Sequence, residues 1–281
     1  MARKIAICNQ KGGVGKTTTT VSLGVGLARE GYKVLLIDAD PQGDLTASLG
    51  WYEPDELTDT LASLISNVMA DKEINVEDAI LTHAEGVDII PANIELSSVE
   101  SQLVTTMSRE RTLNTIINNV SDKYDYILID CMPSLGMMTI NALTAADSVI
   151  IPVQAQFLSA KGMTQLLNTV SKVKRHLNPQ LEIEGVLITL KDSRTNLSKE
   201  TATMVRNSFG TVLNVFQTEI PVGTKAGETP AHAKSVFEYD PNGHVTEAYR
   251  KLSQEVKMNG ERLGFSSIST KRPVLDTGAT R

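Results

Sequence analysis

Lys11-Gly12-Gly13-Val14-Gly15-Lys16-Thr17-Thr18 stands between a short β-type run, Lys4 to Asn9, and a helical pattern from Lys16 to Arg29 that Gly31 stops. A strand, a glycine-rich turn and a helix in that order build a cradle in which backbone N–H groups close around a polyphosphate. The glycines let the backbone turn those groups inward, and the helix N-terminus adds its positive end. Lys16 can reach the β and γ oxygens, and the Thr17 hydroxyl can coordinate Mg2+. The nucleotide-binding stretch is thus Lys11, Gly12, Gly13, Val14, Gly15, Lys16, Thr17 and Thr18. The usual pattern would require a glycine at Gln10; this loop instead carries a second lysine, Lys11, beside the glycine pair.

Two further segments supply acids. In Val34-Leu35-Leu36-Ile37-Asp38-Ala39-Asp40-Pro41-Gln42-Gly43 a buried strand delivers two carboxylates at its carboxyl end. In Tyr126-Ile127-Leu128-Ile129-Asp130 an apolar run ends in an acid, as suits a strand that presents a carboxylate to metal-bound water. A lone acid at such a place is usually an ordinary cap, but three beside a phosphate loop point to a site.

Further buried-strand runs occur at Val87–Pro91, Val149–Pro152 and Val186–Leu190, after a second strand at Lys33–Asp38. Helical period covers Leu96–Val120, Lys161–Leu177 and Val245–Met258, with Asn178-Pro179 closing the second of these. Strands alternating with helices predict an α/β fold: a three-layer, doubly wound, mostly parallel sheet with ligands at the carboxyl ends of its strands. Hydrophobic residues at 41% and charged residues at 21% exclude disordered, collagenous and disulfide-scaffold chains. No repeat or Gly/Ser linker divides the chain, so residues 1–263 are expected to form one domain and 264–281, small, polar and aperiodic, a flexible tail. Cys8 and Cys131 lie in apolar runs, and the start lacks a basic-then-apolar leader, which suits a reduced, cytoplasmic protein. No stretch approaches the ~18 apolar residues that span a bilayer.

With these residues in place the chain resembles the ParA/MinD group of deviant Walker ATPases, P-loop NTPases, and within it the ParA/Soj partitioning proteins. The likeness covers nearly the whole chain and rests on Asn9 to Thr18, Asp38 to Gly43, Asp192-Ser193-Arg194-Thr195-Asn196-Leu197-Ser198, Ile220-Pro221 and Tyr239-Asp240-Pro241. The resemblance implies an ATP- and Mg2+-dependent homodimer in which Lys11 acts in trans on the neighbour's phosphates, and Lys16 and Thr17 act in cis. Asp40 would orient the attacking water, while Asp38 and Asp130 would support the magnesium shell through water. It further implies slow turnover that a centromere-binding ParB-type partner raises, non-specific binding of duplex DNA, and association with the nucleoid in the ATP state. The cargo would be a plasmid, a chromosome or a mobile element. A lysine supplied across a dimer interface would stabilise charge on a transferring phosphoryl group much as an arginine finger does.

The chain departs from the family's pattern twice. Asp130-Cys131-Met132-Pro133-Ser134 replaces the common two prolines after the acid, and Val222 to Glu228 holds one base, Lys225, where many relatives are arginine-rich. The net charge of −6 argues against a nucleic-acid partner only as a sum. Residues 1–160 carry 10 Lys+Arg against 21 Asp+Glu, and residues 161–281 carry 17 against 12. Candidate DNA contacts are Lys199, Arg206, Lys225, Arg250 and Lys251, with Lys172, Lys174 and Arg175 clustered at one helix end. Backbone binding grows with the number of phosphates neutralised, so a dimer doubles a modest patch. Aromatic residues, at 4%, are too few for a stacking platform.

Three other readings compete. A MinD-like membrane cycle would need an amphipathic carboxyl-terminal helix, yet Ser266 to Arg281 holds Pro273 and Gly278 and few apolar residues, so no membrane contact is expected. An iron–sulfur role would need paired cysteines, and Cys8 in the first strand reads better as a core residue. A small-molecule kinase or ligase would share the phosphate loop, although Lys11 would then have less reason to be there. His83, His176, His232 and His244 show no metal-ligand spacing.

Overall fold

The computed structural model describes residues 2–155 and 160–264. Its strands are β1 (Arg3–Ile7), β2 (Val34–Ala39), β3 (Leu81–Thr82), β4 (Val87–Ile90), β5 (Tyr126–Cys131), β6 (Ser148–Gln154), β7 (Glu182–Lys191) and β8 (Val215–Pro221). They form one sheet in the order β3-β4-β2-β5-β1-β6-β7-β8. Among the described residues only the β3–β4 pair is antiparallel. The helices are α1 (Lys16–Arg29), α2 (Asp44–Ser48), α3 (Leu61–Met69), α4 (Glu95–Leu103), α5 (Thr112–Asn118), α6 (Met137–Ala145), α7 (Ala160–His176), α8 (Asn196–Phe209), α9 (Thr224–Glu228), α10 (Val236–Tyr239) and α11 (His244–Arg262).

Alternation along the buried strands feeds two cores, one on each face of the sheet. Ala6, Leu35, Ile37, Ile127, Ile129, Val149 and Ile151 point to the core that holds α3 to α8. Ile5, Ile7, Leu36, Leu128, Ile150 and Leu187 point to the other, with α1, α10 and α11. This is the doubly wound three-layer α/β arrangement expected from the sequence. Helix α1 packs very close: a Cβ on Gly24 would sit 2.6 Å from Leu36 Cδ2, and one on Gly26 only 2.4 Å from Ser253 Oγ of α11. Both glycines cost helix propensity, and close packing against β2 and α11 is what they permit.

Three differences from the sequence reading have physical causes. The single helix expected over Leu96–Val120 is broken, because Thr105 and Thr106 turn their hydroxyls back onto Gln102 O and Ser108 takes φ 54°. Asn141 of α6 then accepts Leu113 N–H at 3.1 Å and restarts the chain as α5. Strand β8 was not anticipated, since Gln217-Thr218-Glu219 interrupts its apolar pattern. It is an edge strand: Glu255 accepts the N–H groups of Gln217 and Thr218 at 2.7 and 3.0 Å, and Arg206 donates to Phe216 O at 3.0 Å. Strand β3 is only two residues long and closes the opposite edge. The tail expected beyond 264 lies outside the described residues.

At the end of the sheet away from the phosphate loop, Arg3 and Glu184 form a buried ion pair at 2.7 Å. Ser148 Oγ donates to Glu184 at 2.7 Å and Arg3 donates to Val256 O at 2.7 Å, tying β1, β6, β7 and α11 together.

Candidate active site

The loop between β1 and α1 is glycine-shaped where its backbone must turn. Gly13 and Gly15 take φ 68° and 81°, and a Cβ on Gly12 or Gly13 would meet nothing within 4 Å, so that side of the loop is open. Gly15 caps α1 without any side-chain hydrogen bond to the first turn, so the helix N-terminus offers its N–H groups to an anion. Val14, in contrast, is buried, and its carbonyl accepts the Thr189 hydroxyl of β7 at 2.8 Å. The two lysines of the loop differ. Lys16 is 8% exposed, with Nζ 3.5 Å from Lys11 O. Lys11 is half-buried and donates from Nζ to Gln154 Oε1 at 3.2 Å, at the end of β6.

The three acids meet at adjacent strand ends. Asp38 and Asp130 are in register on β2 and β5, and Ile7 of β1 is in register with Asp130. Asp38 accepts both the N–H and the hydroxyl of Thr46, at 2.9 and 2.7 Å, and Asp130 accepts the Thr20 hydroxyl at 3.2 Å. The Thr17 side chain also favours the ionised form of Asp130. Burial pushes Asp38 up to about 7 against these stabilising bonds. Burial and then the neighbouring charge of Asp38 push Asp130 up to about 8. Asp40 is less buried and is raised mainly by burial, with Lys16 pulling the other way. Two buried carboxylates side by side, without enough positive charge to hold both ionised, make a hard-oxygen donor set with the Thr17 hydroxyl that suits Mg2+. A cleft of about 400 Å³ opens beside the loop, lined by Asn9, Lys11, Val14, Pro133, Ser134 and Gln154 among others.

The structure therefore brings the nucleotide, metal and water-orienting candidates to one end of β1, β2 and β5. Sequence reasoning missed Thr20, Thr46, Thr189 and Gln154. Thr20 falls one helical turn after Lys16, a spacing that could have revealed it; Thr46, Thr189 and Gln154 become neighbours only through the sheet.

The candidate DNA contacts lie elsewhere and differ in their commitments. Lys199 is exposed on α8. Arg206 is engaged with the β8 carbonyls and with Glu219 at 3.1 Å. Lys225 pairs with Asp240 at 2.8 Å, while Arg250 and Lys251 both pair with Glu247. Cys8 and Cys131 are buried free thiols. No helix among the described residues is long and apolar enough to cross a membrane.

Fold and site together define a P-loop nucleotide-binding protein with a lysine-bearing variant of the loop. Comparison with known proteins agrees. A family described as an AAA domain matches residues 2–183. The sporulation initiation inhibitor protein Soj of Bacillus subtilis is 46% identical over 260 residues, covering 92% of this chain and 100% of that protein. The chromosome partitioning protein ParA of Caulobacter vibrioides is 43% identical over 256 residues, covering 90% and 93%. A solved structure described as cobyrinic acid a,c-diamide synthase of Mycobacterium smegmatis, with bound ATP analogue and magnesium, superposes with TM-score 0.80 at 35% identity, over 94% of this chain and 97% of that one. Cyanothece McdA in complex with ATP, at TM-score 0.76 and 24% identity over 96% and 99%, supports the fold alone. The chain belongs to the Soj/ParA family of P-loop ATPases.

Proposed function

We propose that this protein is a partitioning ATPase that dimerises on Mg2+ and ATP, binds duplex DNA without sequence preference, and lets go when a ParB-type partner stimulates hydrolysis. The observation that carries the reading is the pair of lysines on one loop: Lys16 lies within the cradle, whereas Lys11 is turned out of it toward β6. A lysine so placed suits a phosphate other than its own subunit's. Lys16, the loop N–H groups and the N-terminus of α1 would hold the triphosphate in cis, and Lys11 would reach the partner's γ-phosphate. Thr17, with Asp38 and Asp130 through water, would hold Mg2+, which supplies charge neutralisation on the β and γ oxygens. Asp40, half-buried at the strand end, would orient the attacking water.

The relative named as a chromosome partitioning protein covers 90% of this chain, which favours DNA segregation over the MinD-like alternative. The name of the 35%-identical structure favours a second reading, the small-molecule kinase or ligase. Lys11 and the fuller identity to the partitioning relatives weigh against it. DNA contact would fall first to Lys199; Lys225, Arg250 and Lys251 would exchange Asp240 or Glu247 for phosphates, and Arg206 would have to leave β8.

Sedimentation and duplex-DNA binding with ATP, ADP and no nucleotide test the proposal. Dimers and salt-sensitive DNA binding are expected with ATP alone. Asp40→Ala is expected to accumulate the ATP dimer while losing hydrolysis, and Lys11→Ala to lose both. DNA binding equal in ATP and ADP, or a Lys11→Ala variant that dimerises and hydrolyses normally, overturns it.

A further inference from the structure

The amino-terminal half of the phosphate loop is moored to β6 and α7 of its own subunit. Asn9 Nδ2 donates to Pro152 O at 2.6 Å, and Asn9 Oδ1 accepts Lys11 N–H at 3.0 Å. Gln10 Nε2 donates to Gln165 Oε1 of α7 at 3.0 Å. Lys11 Nζ completes the set on Gln154 Oε1 at 3.2 Å. Gln154 is the last residue of β6 and is in register with Thr189 of β7, the residue whose hydroxyl holds Val14 of the same loop. The acceptor for Lys11 is thus fixed by the strand pair that fixes the cradle.

We propose that Gln154 is a positioning residue that parks the Lys11 ammonium on its own subunit, and that this contact must break before Lys11 can cross to a neighbour's phosphate. The inference rests on the reading of Lys11 as the lysine that acts in trans. An amide suits the role. It holds an ammonium through a charge-assisted hydrogen bond, yet presents no opposite charge that would compete with a triphosphate. The parked state lowers the fraction of subunits competent to dimerise, and apparent affinity falls by that fraction. Each dimer must release two lysines, so the factor enters twice. A contact of ordinary strength is worth about three- to fivefold per subunit, hence about ten- to twenty-five-fold per dimer.

The test is sedimentation velocity with Mg2+ and ATPγS over a range of protein concentrations. Gln154→Ala is expected to tighten the dimer about ten- to twenty-five-fold. Gln154→Glu, which turns the contact into an ion pair, is expected to loosen it by at least about tenfold. Melting temperature should match the wild type in both variants. A merely structural role for Gln154 predicts the opposite: both variants weaken the dimer, with a lower melting temperature. That result, or a dimer constant unchanged in either variant, overturns the inference. Lys11→Ala in the same series separates the two levels of argument. If it dimerises like the wild type, Lys11 does not act in trans; if it fails to dimerise while the Gln154 variants are silent, only the parking contact is refuted.

Discussion

Replacing Asp130 with Asn should stabilise the nucleotide-free protein, and the gain should grow with pH. Asp130 is fully buried, in register with Asp38, and raised from 3.8 to about 8 by burial and by that neighbour's charge. Its pKa is therefore higher in the folded than in the unfolded chain. Between about pH 4 and 8 the folded state holds a proton that the unfolded state has released, so wild-type stability falls as pH rises through this window and levels off above it. Each unit is worth at most about 1.4 kcal/mol, which sets a ceiling of about 6 kcal/mol for the span. Part of that is shared, because removing one charge lets Asp38 ionise more readily. A net gain on the order of 2–3 kcal/mol at pH 8 follows, shrinking to nothing near pH 4. Asn keeps an oxygen to accept the Thr20 hydroxyl. Urea melts in EDTA from pH 4 to 8.5 measure the difference directly. If Asp130 supports the metal as proposed, Mg2+ with ATP should then restore the advantage of the wild type. A variant no more stable than the wild type at pH 8, or a difference flat with pH, would refute the reasoning.

Other sites give sharp expectations. Arg3→Met leaves Glu184 buried without its partner and should cost about 3–5 kcal/mol in urea melts, whereas adding Glu184→Leu should recover most of the loss; a double variant as unstable as the single would contradict the ion-pair account. Thr189→Val removes the donor that fastens Val14 and should weaken ATP binding about fivefold in calorimetry, with the fold intact by circular dichroism; unchanged affinity would show that the loop needs no such tether. Glu255→Ala uncovers the N–H groups of Gln217 and Thr218 on the β8 edge, and light scattering should show nucleotide-independent association that the wild type lacks.

What the sequence revealed and what it concealed divide along the range of the interactions. The phosphate loop, α1 from Lys16 to Arg29, and the acids of β2 and β5 were readable because each is a local pattern whose chemistry sits within a few residues. Strand β8 was not, because an edge strand needs apolar residues on fewer of its faces and hides its ladder behind Glu255 and Arg206, which come from two different helices. The break between α4 and α5 escaped for a related reason: Asn141, 28 residues beyond Leu113, starts the second helix. The positive half of the chain shows the limit most plainly. Counted along the sequence, residues 161–281 carry an excess of bases, yet in space Lys225, Arg250, Lys251 and Arg206 each lie against an acid of the same half. Exposed pairs of this kind are worth little and are screened by salt, so DNA phosphates could displace Asp240 and Glu247 at small cost. An attraction built this way depends on the net charge of the whole face rather than on single bases. Neutralising any one of Lys199, Lys225 or Lys251 should therefore weaken DNA binding only modestly, and two or three together should be needed to abolish it.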